Sequence, residues 1–175
     1  MDDEGGVKLA RCSDVAIALG SNLGDRLAIL EAAVQRLMSL PVSAVTGRSH
    51  WYQTPAVGPP QPDYLNGCVL LQTTLTPQHL LESLLAIEHE FGRERRERWG
   101  PRLLDLDLLL FADLILTTPK LTIPHPRMLE RAFVLVPLAE IAGHWHEPMT
   151  GRAIADLVQT VDCTGVTCLP QAAMS

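Results

Sequence analysis

Leucine and aspartate alternate from Leu104 to Leu108, and the run continues as an apolar segment to Phe111. Successive side chains of a β-strand point to opposite faces, so residues two apart share a face at a spacing of roughly 6.5–7 Å. The alternation therefore predicts a strand with Asp105 and Asp107 on one face and leucines on the other. Because carboxylates on an otherwise apolar strand are costly to bury alone, we expect this pair to have a cationic partner.

Two kinds of partner fit the aspartate pair. One is a hard divalent cation such as Mg²⁺, with phosphate oxygens and waters completing its shell. The other is a salt bridge to Arg98 or Arg102 at a solvent-exposed face of the sheet. Five of the twelve arginines fall between Arg93 and Arg102, in a chain with only two lysines. This concentration favours planar, bidentate recognition of an anionic ligand, although a solvated loop of salt bridges has the same composition.

The order of the other segments predicts the fold class. Short apolar runs indicate strands, helical spacing indicates two amphipathic helices, and a proline-rich stretch between them cannot be regular structure. In chain order we predict a strand at 15–19, a helix at 25–40, a strand at 43–53, a loop at 54–62, a strand at 64–73, a helix at 77–91 and a strand at 104–111. This β-α-β-β-α-β order is the split unit of ferredoxin-like folds. We expect an α/β (α+β) protein with an antiparallel sheet and a C-terminal helical extension.

The C-terminal third of the chain predicts the extension. A short strand is expected near 121–123, and helices are expected at 134–142 and 151–161. Polar segments at 1–13 and 163–175 are expected to be loose tails around one domain at 14–162, since 175 residues with a hydrophobic fraction of 47% suffice for one core. The four cysteines show no zinc-site spacing and are expected to be reduced thiols.

Charge and hydropathy narrow the function classes. The net charge of −6 does not suit a protein held on nucleic acid by bulk electrostatics. No apolar run approaches the roughly 20 residues of a membrane span, and the acidic N-terminal residues do not form a signal peptide. We therefore expect a cytoplasmic protein with no membrane partner and no nucleic-acid partner.

Phosphate binding has to rely on side chains, because the chain has no P-loop signature. The turn from Gly20 to Gly24 fits either an anion site at a helix N-terminus or a plain strand-to-helix connection. His125 lies between two prolines, with Arg131 and Phe133 shortly after it. These three residues fit phosphate contacts and stacking on a planar ring, and a structural histidine fits the same pattern.

Several motifs together resemble the 6-hydroxymethyl-7,8-dihydropterin pyrophosphokinase family of folate biosynthesis. The most specific is the segment RWGPRLLDLDLL at 98–109. The resemblance spans about residues 14–162 and includes ALGSNLGD at 18–25, YQTP at 52–55, PDYLN at 62–66, IE at 87–88, GRER at 92–95, PHP at 124–126 and RAFVLVPL at 131–138.

The resemblance implies a reaction and a set of site residues. It implies transfer of a pyrophosphoryl group from ATP to the pterin hydroxymethyl oxygen with release of AMP, and two Mg²⁺ ions held by Asp105 and Asp107. By the same resemblance the catalytic residues are Asp105, Asp107, Arg93 and Arg102. Matching positions imply nucleotide binding by Glu88, Arg93, Arg95, Trp99, Arg102, Lys120, Thr122, His125 and Arg131, with the roles of Arg95 and Arg96 interchangeable. They imply pterin binding by Thr54, Pro55, Val57, Tyr64, Asn66, Asp105 and Phe133, with the ring stacked between Tyr64 and Phe133.

Two other function classes share parts of this pattern. A ferredoxin-like palm domain with paired aspartates would perform nucleotidyl transfer, but it would need a basic track beyond the arginine segment. A non-catalytic RNA-binding module would carry aromatic residues on its central strands, where this chain carries Asp105 and Asp107 instead. We therefore expect ATP and the pterin as substrates of a monomer or weak homodimer.

Overall fold

The computed structural model of this chain describes residues 11–92 and 102–170. Within these residues there are eight strands: β1 (Ser13–Ser21), β2 (Ser43–Arg48), β3 (Tyr52–Thr54), β4 (Tyr64–Thr73), β5 (Asp105–Phe111), β6 (Leu116–Thr117), β7 (Thr122–Ile123) and β8 (Thr167–Cys168). The same described segments contain four α-helices: α1 (Arg26–Met38), α2 (Pro77–Glu90), α3 (Ala132–Ala142) and α4 (Ile154–Leu157). No helix in these ranges combines the length and the apolar character needed to cross a bilayer.

The main sheet has the topology that the sequence predicts. Its order is β5-β1-β4, with β2 and β3 both pairing antiparallel with β4, and β8 pairing with β3. β1 lies between β4 and β5 and is antiparallel to both. Because β2 and β3 occupy one position in the β-α-β-β-α-β order, this arrangement confirms the ferredoxin-like prediction.

Helices α1 and α2 cover one face of the sheet. Both begin at a side-chain cap: the Asp25 side chain accepts the backbone N–H of Ala28, and the Thr76 side chain accepts the backbone N–H of His79. Pro77 occupies the first turn of α2, where the missing N–H costs no helical hydrogen bond. Their apolar stripes pack against the large residues of the strands. The resulting core contains Ile17, Leu19, Leu30, Leu37, Leu71, Leu84, Leu106 and Leu108, all buried.

Helices α3 and α4 cover part of the opposite face. Their core includes Leu135, Leu138 and Ile154, packed on the small side chains Ala16 and Ala18 of β1. The small residues alternate with large ones along β1, so one face of this strand carries large side chains and the other carries small ones. This second core covers the end of the sheet where β1 begins and leaves the end near Gly20 open.

The strand predicted at 43–53 is two strands. The backbone ladder is interrupted at Ser49, because its side-chain hydroxyl, rather than a backbone carbonyl, accepts the N–H of Cys68 at 2.9 Å. His50, the next residue, contacts the Glu140 carboxylate of α3 through its backbone N–H and its ring. The predicted strand is therefore divided where the Ser49 hydroxyl takes the place of a backbone carbonyl as hydrogen-bond acceptor.

The C-terminal predictions also need correction. The helix expected at 151–161 is only the short α4, followed by a 3₁₀ turn at Val158–Thr160. The tail expected at 163–175 is not loose where the structure describes it, because β8 pairs with β3 and the backbone N–H of Leu169 donates to the carbonyl of Trp51 at 2.8 Å. At the N-terminal side, β1 begins at Ser13, the last residue of the predicted tail at 1–13.

Candidate active site

A pocket of about 530 Å³ lies at the end of the sheet that α3 leaves open. Its floor is a row of residues on three neighbouring strands, in which Gly20 of β1 faces Asp105 on one side and Asn66 on the other. In the next row, Ala18 faces Asp107. A Cβ atom at Gly20 would lie 2.8 Å from Oδ1 of Asn66, so any larger residue there would displace the Asn66 side chain.

The aspartates of β5 face this pocket with their side chains 27% and 29% exposed. Nη1 of Arg102 donates to Oδ1 of Asp105 at 3.2 Å. Asp107 lies 4.0 Å from Nε2 of His125 and 4.0 Å from Nη1 of Arg131. The predicted strand geometry is therefore present, with both carboxylates on the pocket face and basic groups around them.

His125 is a neutral hydrogen-bond donor at neutral pH. Burial, reinforced by the positive charges of Arg131 and Arg127, lowers its pKa from 6.5 to about 4. Its Nδ1 accepts the backbone N–H of Arg127 at 3.2 Å, so the ring proton of the neutral form resides on Nε2. This N–H points to the Asp107 side of the pocket, where it is available to an acceptor oxygen.

The opposite wall is aromatic and amide-lined. Tyr64 begins β4 and Phe133 lies in the first turn of α3, and both are half-buried and line the pocket. Nδ2 of Asn66 donates to Oγ1 of buried Thr54 at 2.7 Å. Burial and the charge of Asp105 raise the pKa of the Tyr64 phenol, which therefore stays protonated at neutral pH. This wall suits a flat heterocycle whose edge carries hydrogen-bonding groups.

The structure brings most of the predicted site residues to this one pocket. Those that line it are Thr54, Pro55, Val57, Tyr64, Asn66, Arg102, Asp105, Asp107, His125, Arg131 and Phe133. Arg93, Arg95 and Trp99 lie outside the described residues.

Three predicted residues lie elsewhere. Glu88 is buried on α2, where Oε1 accepts the backbone N–H of Leu106 at 2.8 Å, so it holds the strand between the two aspartates. Lys120 and Thr122 lie on the β6–β7 hairpin beside β5, with Lys120 exposed. Their nucleotide contacts stay predictions.

Sequence reasoning assigned no role to several residues that shape the pocket. Arg127 and Glu130 line it, and Asn22 joins two of its walls by hydrogen bonds. Gly20 belongs to the segment at 20–24 predicted as an anion site or a plain strand-to-helix connection, and it lies within β1 instead. The alternation of small and large residues from Ala16 to Gly20 is the signal that predicts a floor open to a ligand.

The donor set fits a hard divalent cation. Asp105 and Asp107 offer carboxylate oxygens from one face of a rigid strand into a pocket that also holds Arg102 and Arg131. Mg²⁺ is commonly bound by one or two carboxylates together with substrate phosphates and waters. Within residues 11–92 and 102–170, no group of three or more acidic, histidine or cysteine side chains forms a cage for a metal. Two carboxylates leave the other positions around such an ion to substrate phosphates and waters.

Sequence comparison gives the chain a well-defined set of relatives. Residues 16–143 match the family model described as 7,8-dihydro-6-hydroxymethylpterin-pyrophosphokinase. The chain is 51% identical over 156 residues to a 2-amino-4-hydroxy-6-hydroxymethyldihydropteridine pyrophosphokinase of Synechocystis sp., covering 89% of this chain and 80% of that one. It is 43% identical over 159 residues to a protein of the same name from Pseudomonas aeruginosa, covering 90% and 98%.

Structural comparison agrees at the level of the fold. The wild-type HPPK-DHPS protein of Plasmodium falciparum superposes with a TM-score of 0.66 at 11% identity, over 86% of this chain. The same protein with pteroate gives a TM-score of 0.68 at 13% identity. The chain spans less than half the length of these solved chains, 45% and 42% respectively.

Proposed function

The chain belongs to the 7,8-dihydro-6-hydroxymethylpterin-pyrophosphokinase family, and from this premise we propose how its pocket performs the reaction. The protein transfers pyrophosphate from ATP to 6-hydroxymethyl-7,8-dihydropterin in folate biosynthesis, giving AMP and the pterin diphosphate. A bond forms between the pterin hydroxymethyl oxygen and the β-phosphorus, the bond from that phosphorus to the oxygen of AMP breaks, and the hydroxyl proton is released. The observation that carries the assignment of roles is the joint placement of the aspartate pair and the aromatic wall in one pocket.

The aspartates and Arg102 form the reacting end of the pocket. Asp105 and Asp107 would hold two Mg²⁺ ions, which would neutralise charge on the ATP phosphates and stabilise the departing AMP oxygen. Asp105 also orients the pterin hydroxyl group, and its ion pair with Arg102 fixes the direction of its carboxylate. Arg102, together with Arg93, supplies positive charge to the transferred group.

Two residues near Asp107 bind the nucleotide phosphates. His125 donates a hydrogen bond from its Nε2–H group to a phosphate oxygen, because Nε2 carries the proton in the neutral tautomer. Arg131 supplies a guanidinium group on the Asp107 side of the pocket, and its Cζ atom lies 5.5 Å from the centre of the Phe133 ring. Arg95, Trp99, Lys120 and Thr122 are proposed as further nucleotide contacts on the strength of the family resemblance. Glu88 supports the site through the backbone of Leu106.

The aromatic wall binds the pterin. Tyr64 and Phe133 supply the faces between which a flat ring stacks, and Asn66 and Thr54 read its edge together with the backbone near Pro55 and Val57. Stacking on aromatic faces stabilises the binding of a flat ring, while a few fixed polar groups set its orientation.

Further features of the protein are proposed from composition and family membership. The protein acts in the cytoplasm as a monomer or weak homodimer, with small molecules rather than nucleic acid or membranes as partners. The net charge of −6 supports this choice, because it opposes association with polyanions.

Product analysis tests the function directly. The full chain is incubated with ATP, Mg²⁺ and 6-hydroxymethyl-7,8-dihydropterin. The nucleotides and pterins are then separated, and mass spectrometry identifies and quantifies them. We expect AMP and pterin diphosphate in equal amounts, no turnover after chelation of the metal, and recovery when Mg²⁺ is restored. Formation of ADP with a pterin monophosphate would contradict the assignment.

The role of the aspartate pair is tested with matched variants. Asp107→Asn keeps the side-chain shape but removes the charge, so we expect a loss of kcat/KM of about a thousand-fold or more, typical of a lost metal or oxyanion contact. Asp113→Asn lies in the exposed turn after the same strand and controls for charge removal. Near-normal turnover of Asp107→Asn would exclude the metal assignment.

A further inference from the structure

Asn22 immediately follows β1, and the residue is buried, with 1% of its surface exposed. Its Oδ1 accepts the backbone N–H of Arg102 at 2.8 Å. Its Nδ2 donates to Oε1 of Gln61 at 2.9 Å and to the backbone carbonyl of Pro62 at 3.0 Å. One carboxamide therefore joins chain segments that lie 40 and 80 residues away in the sequence.

Both segments continue into walls of the pocket. On one side, Nε2 of Gln61 donates to the backbone carbonyl of Val57 at 3.2 Å, and Val57 lines the pocket. On the other side, Arg102 forms the ion pair with Asp105. A second bond, from the backbone N–H of Asn22 to the carbonyl of Arg102 at 3.1 Å, strengthens this side. Hydrogen bonds of Asn22 and Gln61, together with the Arg102 residue itself, thus connect the loop at 54–62 to Asp105.

The chemistry of this position selects asparagine. A carboxamide combines one acceptor oxygen with two donor hydrogens on a short, planar group, and all three are used here. Aspartate has the same shape but no donor, so it would set an oxygen against the carbonyl of Pro62. Alanine would remove all three bonds of the buried Asn22 side chain, and its partly buried partners would lose the groups that hold the two segments together.

We propose that Asn22 is a positioning residue that fixes the separation between two walls of the pocket. The pterin wall is the loop at 54–62, and the nucleotide wall begins at Arg102. Asn22 acts through these segments and contacts neither substrate. The identity of the two ligands rests on the proposed function, whereas the connection between the two walls does not.

Two substitutions separate the two connections. Asn22→Asp keeps the acceptor for Arg102 but removes both donors to the loop, so we expect KM for the pterin to rise roughly tenfold while KM for ATP stays close to that of the wild type. Asn22→Ala removes both connections, so we expect both KM values to rise and kcat to fall. Hydrogen exchange of backbone amides within 54–62 is expected to accelerate in both variants.

Thr73→Val provides the matched control. Thr73 is fully buried at the far end of β4, and its hydroxyl bonds to Ser43 and to the backbone N–H of Leu75. This variant loses buried hydrogen bonds and stability, and we expect it to leave both KM values and exchange within 54–62 unchanged. Asn22→Asp with the kinetic and exchange behaviour of Thr73→Val would overturn the proposal.

The exchange measurement keeps this inference separate from the proposed function. If the wild-type protein forms no pterin-dependent AMP, the proposed function fails. Accelerated exchange within 54–62 in Asn22→Asp would still support the connection through Asn22, and unchanged exchange would overturn it.

Discussion

The α1–α2 side of the sheet is a closed apolar core, whereas the α3–α4 side is apolar at one end and opens into the pocket at the other. β5 contributes to both sides, with Leu106 and Leu108 in the closed core and Asp105 and Asp107 in the pocket. Adjacent residues of one strand therefore serve different purposes. The difference teaches that stability and chemistry can be changed separately on this strand.

The largest expected effect is on the closed side. Leu106→Ala removes a buried side chain between the two aspartates, so we expect the free energy of unfolding to fall by about 3 kcal/mol, within the range for core leucines. We also expect kcat of the folded protein to change little, because the aspartates keep their face of the strand. Urea denaturation and turnover on the same preparation measure both quantities.

Leu85→Ala is the control for this substitution. Leu85 lies on α2 with 42% of its surface exposed, so its loss should cost well under half as much stability as the loss of Leu106. A loss of turnover in folded Leu106→Ala as large as that of Asp107→Asn would break the separation between the two faces.

The next effect concerns the pocket floor. Gly20→Ala places a Cβ atom 2.8 Å from Oδ1 of Asn66 and 3.4 Å from Cδ1 of Tyr64, so the Asn66 side chain must shift and the new methyl group lies against Tyr64. We expect KM for the pterin to rise roughly tenfold, the scale of a small misplacement of binding groups. Steady-state kinetics with the pterin varied at saturating ATP measure this change.

Gly47→Ala is the matched control, because a Cβ there meets only ordinary contacts with Leu70, the nearest at 3.5 Å. It should leave KM for the pterin unchanged. Equal KM values for the two variants would show that the floor does not limit binding.

The closed side of the molecule is the part that local sequence pattern predicts well. The strand from Tyr64 to Thr73 and the opposed faces of the aspartate strand follow from the alternation of side chains, and the structure confirms both. The proline-rich stretch predicted as a loop at 54–62 is irregular from residue 55 on, as the missing donors require, while Thr54 ends β3. These features depend on neighbours in the chain, which a single sequence displays.

Features that depend on distant partners were missed. The break at Ser49 depends on a hydroxyl that bonds to Cys68, and the order of residues 163–170 depends on pairing with β3. Asn22 reads as a turn residue because its partners lie 40 and 80 residues away. Motif resemblance, rather than periodicity, predicted most of the pocket residues, since the pocket draws on several separate segments.

The smallest expected effect concerns a single proton on the pocket side. The pKa of His125 falls from 6.5 to about 4 on folding, so between these values the unfolded chain binds a proton that the folded chain does not. His125 therefore contributes stability that is fully present above pH 6.5 and is lost as the pH falls towards 4. An NMR titration of the imidazole should give a midpoint at about 4.

Arg131→Gln sharpens this prediction because the Arg131 charge is one cause of the lowered pKa. Its removal should raise the midpoint of His125 towards the ordinary value, while Arg152→Gln, at an exposed position beyond α3, should leave the midpoint unchanged. A wild-type midpoint near 6.5 would mean that water and the carboxylates of the pocket offset burial at Nε2. His125 would then be partly charged at neutral pH, and its contact with phosphate would weaken as the pH rises through that midpoint rather than stay constant above pH 5.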